Sequence, residues 1–383
     1  MMSGQFTEFH AEIRTVAREL LGKSGAAGRV DWPQLVRAGW PGLEVAEEYG
    51  GAGAGPAEVG ILLEEVGRAV ARTAYPSVAS AGIGALALLE PNAHRDAVLR
   101  ETVTGAAIPI AVLGGNMVPA AGGETACAGT GGIVPTFRIG QTIEGFEISG
   151  TADFVLDARA ATALLIPALA PDGSVRVAVA APDAQGLRIE DRPVVDETRS
   201  LARVAAEGVL LAPEAVLAFC ADIVCGPRAL YDRAALAVAC DSLGVAAAML
   251  DATVEYVRVR EQFGRPVGSF QAVKHACADM LVDLTVARRL VADALAAPLD
   301  GGPDARRAVA AAKSCAGEVG VRIAGKAVQL HGGIGYTWES GIHRYLKRAT
   351  LDRALFGSPA DHRRELADRY RGESPVPAPS TGE

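Results

Sequence analysis

A stripe of apolar residues recurs at near-heptad spacing at Leu236, Cys240, Leu243, Ala247, Leu250, Val254 and Val257. Only a long helix puts all of them on one face. Gly264 and Pro266 stop that helix, and a second apolar series opens at Phe270 and runs through Val273, Cys277 and Leu281. The segment 256–280 therefore reads as helix, tight turn, helix. Arg260, Gln262 and Phe263 fall at the turn. A guanidinium, an amide and a ring at one helix end suit a bidentate anion such as a pyrophosphate with an aromatic group beside it. The same Arg serves equally as a solvated cap of a helix C-terminus, and these residues by themselves leave both readings open.

The helical period does not hold throughout the 383 residues. Residues 6–21, 32–38, 57–71, 78–89 and 94–101 read as helices, with Ile61, Leu62, Val66 and Val70 on one face of the third. The Gly-rich stretch 50–55 is not a phosphate loop, since no strand precedes it and no Gly-Lys-Ser/Thr follows. Beyond residue 105 the pattern changes. Residues 108–113 are a short apolar run, and 120–132 are rich in Gly, Ala and Thr. Segments 143–149, 162–169, 175–179, 187–190 and 202–211 have strand composition, and Asp172-Gly173 marks a hairpin. From residue 213 the helical period returns and holds to residue 370. Ser269 and Asp304 read as N-caps of the second and third long helices. Val309, Ala312, Ala316, Val319, Ile323 and Leu330 form a stripe on the third. The expected fold class is α+β, mostly α. It comprises a helical domain over 1–105, an antiparallel β-domain over 106–212, a four-helix bundle over 213–372 and a disordered Pro/Ser-rich tail over 373–383.

A net charge of −8 with no basic run argues against nucleic acid as a partner. No uninterrupted apolar run approaches the roughly 20 residues a bilayer needs, and Glu8, Glu12 and Glu19 stand where a signal core would be. A cytoplasmic protein with no membrane partner is expected. Cys127, Cys220, Cys225, Cys240, Cys277 and Cys315 show no metal-ligand spacing. Cys240, Cys277 and Cys315 read as small core residues in a reducing compartment.

Three blocks of residues, in order along the chain, carry a resemblance. The first is Glu47-Glu48-Tyr49-Gly50-Gly51 with Leu63-Glu64-Glu65-Val66-Gly67-Arg68. The second is Arg260-x-Gln262-Phe263-Gly264-x-Pro266 with Phe270-Gln271-x-x-Lys274-His275 and Ala278-Asp279-Met280. The third is Gln329-Leu330-His331-Gly332-Gly333-Ile334-Gly335-Tyr336. Together they resemble the acyl-CoA dehydrogenase family. The resemblance implies FAD as cofactor, an acyl-CoA thioester as substrate and a flavin held at a subunit interface. In that family's reaction a carboxylate takes the proton α to the carbonyl while a hydride leaves the β-carbon. The resemblance makes Arg260, Gln262, Phe263, Gln271, Gln329, Gly332 and Gly333 the clamp for a neighbouring subunit's dinucleotide.

The departures from the family pattern lie elsewhere. Relatives place the base, a Glu, at one of two positions. Counting from the motifs, these fall on Phe356, within Leu355-Phe356-Gly357-Ser358, and on Ala234. The nearest acids are Asp352 and Asp232, both expected as solvated helix residues, Asp232 on another side of its helix. Where relatives carry Thr-Glu-Pro beside the flavin, this chain has Ala111-Val112-Leu113-Gly114-Gly115-Asn116-Met117. Where relatives often carry Trp-Ile-Thr/Ser, it has Phe154-Val155-Leu156. A clamp kept while the base is lost implies an FAD-clamping, non-catalytic subunit of an α2β2 hetero-oligomer with a second acyl-CoA dehydrogenase-like chain. The alternatives are a self-sufficient, homo-oligomeric dehydrogenase with a displaced base, a flavin oxidase or oxygenase on the same fold, and a structural homologue without cofactor.

Overall fold

The computed structural model describes residues 2–23, 28–115, 117, 132–143 and 145–372. Cys127, Asn116, nearly all of the Gly/Ala/Thr-rich stretch 120–132 and the tail 373–383 lie outside the described residues. The N-terminal helices are α1 (Met2–Gly22), α2 (Trp32–Arg37), α3 (Pro56–Arg68), α4 (Tyr75–Ser77), α5 (Gly84–Leu88) and α6 (Ala93–Thr104). A π turn, Val78–Ile83, joins α4 to α5 in one continuous apolar rod. It is a rare geometry that often marks a functional wall. Pro56 occupies the first turn of α3, where its missing N–H costs nothing, and Glu58 reaches back to the Gly55 N–H.

The strands are β1 (Pro109–Ala111), β2 (Phe137–Gln141), β3 (Phe146–Leu156), β4 (Ala163–Leu169), β5 (Val175–Ala180), β6 (Leu187–Arg192), β7 (Leu201–Leu211) and β8 (Val216–Leu217). They form one sheet in the order β6-β7-β3-β2-β4-β5-β8, with β1 paired to β4. Most pairs are antiparallel, but β1–β4 and β2–β4 are parallel. The Asp172-Gly173 turn closes the β4–β5 hairpin with Gly173 at φ 81°.

The second helical region holds α7 (Gly226–Val259), α8 (Gln271–Leu295), α9 (Pro303–His331), α10 (Ile342–Ala354) and α11 (Pro359–Gly372). The two-residue strands β9 (Glu261–Gln262) and β10 (Arg265–Pro266) pair between α7 and α8. The fold is α+β and mostly α, as expected. Helix begins at Gly226, later than residue 213, because Val216–Leu217 first adds an edge strand to β5. Helix α9 is capped by Gly302 with Pro303 and Asp304 in its first turn, and α8 by Phe270 after the Val267–Ser269 turn, so neither Asp304 nor Ser269 is the cap.

Helix α7 is the axis of the molecule, packed against α3, α8, α9 and α10. It is long and apolar enough to cross a membrane, yet 89% of its apolar window is buried inside the protein, as for a core helix. Its contact with α3 is backbone to backbone. A Cβ on Gly244 would sit 1.8 Å from the Glu64 carbonyl oxygen, and one on Gly67 2.1 Å from that of Asp241. On α8 the buried face is Met280, Leu284, Ala287, Val291 and Ala294. The series Phe270, Val273, Cys277, Leu281 is not the core face: the first three are half-buried and Leu281 is 54% exposed. Cys277 and Cys315 are half-buried, while Cys240 is fully buried, and its thiol is pushed far up by burial.

Three parts of the fold meet on one side chain, Arg348 of α10. It is wholly buried and donates through Nε to Asp196 (2.9 Å), through Nη1 to both Asp241 oxygens (3.1 Å each) and through Nη2 to the carbonyls of Ala71 (3.1 Å) and Thr198 (3.2 Å). Asp241 also accepts from Arg199 at 2.9 Å and lies against Asp352. Burial alone would raise Asp241, but Arg348 and Arg199 outweigh it and hold that carboxyl below its ordinary value. Asp352 is pushed well up, by burial and then by the Asp241 charge.

Candidate active site and clamp

An apolar cleft lies where the π turn, the ends of β1 and β3, and α7 meet. Ser77, Ser80 and Ala81 wall it from the π-turn side, Leu113 and Leu156 from the sheet, and Ala234 and Val238 from α7. Phe356 closes another side, and among the described residues Arg199 is the one charged side chain in the wall. The cavity thus brings together Phe356 and Ala234, the two positions that family counting gives for a base, although they are far apart in sequence. Neither Asp352 nor Asp232 lines it. Both acids were expected in solvent, and both are wholly buried. Asp352 belongs to the Arg348 cluster. Asp232 is tied to Arg228 at 2.7 Å, and burial, opposed by that Arg, pushes its carboxyl to about 6. These carboxyls sit among groups brought in by other helices or by the next turn of their own, which a local reading cannot see.

The turn that carries Phe356 is held from all sides. Its N–H donates to the Gly115 carbonyl (2.8 Å). Its own carbonyl accepts from the Tyr231 hydroxyl (2.6 Å) and from His362 Nε2 (2.9 Å). Lys313, wholly buried, donates to the carbonyls of Asp352 (2.9 Å) and Gly357 (3.1 Å), and burial lowers its ammonium to about 8. Phe356 itself sits at φ 52°, an unfavourable region for an aromatic residue that this surrounding network over-determines. Gly115 also donates to the Phe154 carbonyl (3.1 Å), so the two segments that depart from the family pattern touch each other and Phe356. A Cβ on Gly115 would lie 2.7 Å from the Phe154 carbonyl oxygen, so the close backbone approach needs a glycine. Tyr231, Lys313 and His362 carry no signal in the sequence. Each is a polar residue in a helix whose partner lies in another helix or in the turn at Phe356.

His362 makes this turn sensitive to acid. Burial, and next the Lys313 charge, lowers its imidazole from 6.5 to about 4. The unfolded chain therefore binds that proton first as pH falls. The stability present above 6.5 is lost progressively towards 4, by about 3 kcal/mol for a shift of this size. Urea unfolding of His362→Gln should show a flatter dependence on pH across that window than the parent chain. Identical slopes would mean the ring is not buried neutral.

The other predicted residues gather at one end of the helical bundle. Tyr256, one turn before the end of α7, stacks on His331 at the end of α9 with ring centroids 4.3 Å apart, and its hydroxyl donates to the His331 carbonyl (3.3 Å). That contact sets the Arg260–Phe263 corner beside the Gln329–Gly333 loop. Phe263 and Gly264, at φ 56° and 75°, make the tight turn of the β9–β10 hairpin, and Phe263 is 90% exposed. Its ring meets Phe270 edge-on at 6.0 Å. Arg260, Gln262, Gln271, Gln329, Gly332 and Gly333 are all exposed. Among the described residues the Arg260 guanidinium has no hydrogen-bond or ion-pair partner. A Cβ on Gly332 or Gly333 would meet nothing within 4 Å, so the openness there faces outward.

Comparison with known proteins agrees with this architecture. Residues 5–106 match the family model described as "Acyl-CoA dehydrogenase, N-terminal domain", and residues 229–370 match "Acyl-CoA dehydrogenase, C-terminal domain". Acyl-CoA dehydrogenase IpdE2 of Mycobacterium tuberculosis is 34% identical over 332 residues, 86% of this chain and 83% of that protein. Among solved structures, the ChsE4-ChsE5 complex from Mycobacterium tuberculosis matches with TM-score 0.81 and 26% identity over 97% of this chain and 98% of the solved one. A single-substitution variant of the Tcur3481-Tcur3483 steroid ACAD matches with TM-score 0.80 and 27% identity over 96% and 98%. The chain belongs to the acyl-CoA dehydrogenase family, a family of FAD-dependent oxidoreductases.

Proposed function

We propose that this chain is the FAD-clamping, non-catalytic subunit of a hetero-oligomeric acyl-CoA dehydrogenase, assembled with a second, homologous chain that supplies the base. One observation carries the reading. Among the described residues, the cavity that both family base positions line has no carboxylate in its wall, while the residues of the clamp stand exposed and face away from their own chain.

The exposed corner fits the diphosphate end of FAD. Arg260 and Gln262 offer N–H donors suited to pyrophosphate oxygens, Phe263 offers a ring face, and Gly332-Gly333 lets the backbone approach an anion without an intervening Cβ. Gln271 and Gln329 flank that corner. The ring end of the cofactor fits this chain poorly. Leu156 and Leu113 offer no side-chain donor to it, and Gly115 is already bonded to Phe154 and Phe356. Bound FAD would accept the hydride from the β-carbon of the acyl thioester. This chain's part is to hold the dinucleotide, and Phe356 and Ala234 cannot take the α-proton. The names of two similar structures, the ChsE4-ChsE5 complex and Tcur3481-Tcur3483, each describe paired chains, which supports a two-chain assembly here. A cytoplasmic location and a role in lipid or steroid breakdown go with that reading.

Purification of the chain alone tests it. The protein should carry little flavin and dehydrogenate no acyl-CoA, and both properties should appear on co-expression with a homologous chain that has the Glu. A yellow protein that oxidises acyl-CoA unaided eliminates the reading.

A further inference from the structure

The π turn between α4 and α5 is held open by a side chain from another helix. An α-helix would spend the Gly84 N–H on the Ser80 carbonyl, four residues back. Here that N–H donates to the Ala81 carbonyl, and the Ser80 carbonyl accepts instead from Arg233 Nε of α7 at 3.0 Å. The guanidinium fits because residue 84 has no side chain: a Cβ on Gly84 would lie 2.1 Å from Arg233 Nε. Arg233 Nη2 in turn donates to Glu44, in the loop between α2 and α3, and the two side chains are only 10% and 12% exposed. On another face the turn is pressed against β1, where a Cβ on Gly82 would lie 2.1 Å from the Pro109 carbonyl oxygen. Ser80 and Ala81 of the turn line the cleft beside Phe356, whereas Arg233 stands behind them and does not line it.

We propose that Arg233 is a positioning residue: it takes the Ser80 carbonyl out of the α-helical ladder, keeps the turn in its wide register, and so sets which side chains of residues 78–83 face the cleft. The physical basis is competition for one acceptor. A buried carbonyl left without a donor is costly, and with the guanidinium gone the Gly84 N–H is the group in place to satisfy it. That exchange tightens the turn to the α register, and one residue of register is about 100° round the helix axis. Glu44 holds Arg233 in place and matches its charge, which burial of the guanidinium requires. The inference concerns the shape of the cleft and stands whether or not this chain supplies a base.

Crystal structures of the parent chain and its variants test the idea. Glu44→Gln combined with Arg233→Met removes the guanidinium without stranding a charge. Gly84→Ala leaves both charged groups and puts a methyl where the guanidinium lies. In each, the N–H of residue 84 should move from the Ala81 to the Ser80 carbonyl, and Ser80 or Ala81 should leave the cleft wall. Arg233→Lys, whose ammonium can still donate to the Ser80 carbonyl, should keep the π turn, a rescue that lost packing alone would not produce. A π turn that persists in either of the first two variants with water or nothing on the Ser80 carbonyl overturns the proposal. So does loss of the turn in Arg233→Lys, or a parent chain in which Arg233 does not reach that carbonyl.

Discussion

Replacing Arg348 by Met should cost the fold about 3–5 kcal/mol, a large share of the 5–15 kcal/mol that holds a typical protein folded. The side chain is wholly buried and bonds at once to the N-terminal helical region through Ala71, to the β6–β7 connection through Asp196 and Thr198, and to α7 through Asp241. Met matches its length and apolar stem but strands the Asp196 and Asp241 charges in the interior, which is far costlier than losing a surface pair. The chain should melt about 4–6 °C lower. Arg344, on the same helix but only half-buried against Glu197 at 3.1 Å, is the control, and Arg344→Met should cost less than about 1 kcal/mol. Adding Asp196→Asn to Arg348→Met should recover part of the loss, because it removes one stranded charge while its amide can still serve Thr198. A loss below about 1 kcal/mol for Arg348→Met would mean that water reaches the cluster and that these parts of the fold are joined by apolar packing alone.

That cluster also marks the limit of what the sequence discloses. The long helices are legible because their apolar stripes repeat at the helical period, and the stripe on α9 from Val309 to Ile323 is buried throughout. The β4–β5 hairpin is legible because Asp-Gly between two strand-like apolar runs has few other uses. Strand β2 is not, since Phe-Arg-Ile-Gly-Gln is short and shows barely one alternation. On α8 two apolar series compete, and only the packing of α9 and α7 decides that Met280 and Leu284 go inside and Leu281 outside. Buried charges are the least legible. Arg348, Asp241, Asp352, Asp232 and Lys313 each look like solvated helix residues in the sequence, and each is made tolerable by a partner at least one element away or one helical turn off. At the site, the family motifs indicate Phe356 and Ala234 as positions, but the motifs do not reveal Arg199 or the hydrogen bonds that fix the Phe356 turn.

Arg260→Ala should have the opposite profile to Arg348→Met. Arg260 is exposed and has no protein partner for its guanidinium among the described residues, so its loss should shift folding stability by no more than about 0.5 kcal/mol. If it grips a dinucleotide diphosphate across a subunit boundary, its removal deletes charge-assisted hydrogen bonds worth about 1.5–3 kcal/mol. Flavin retention by the two-chain assembly should then fall roughly 10- to 100-fold, read as the FAD dissociation constant from fluorescence recovery on dilution. Arg260→Lys should recover only part of this, because an ammonium keeps the charge but lacks the planar fork. Gly333→Val tests the neighbouring loop in the same way. Its Cβ would meet nothing in the free chain, so the fold should tolerate it, whereas a branched side chain facing the diphosphate should weaken retention at least about tenfold. Unchanged flavin affinity in all three variants would show that the exposed corner is an ordinary helix end. The dinucleotide grip, and with it the case for a clamping subunit, would have to be placed elsewhere on the chain.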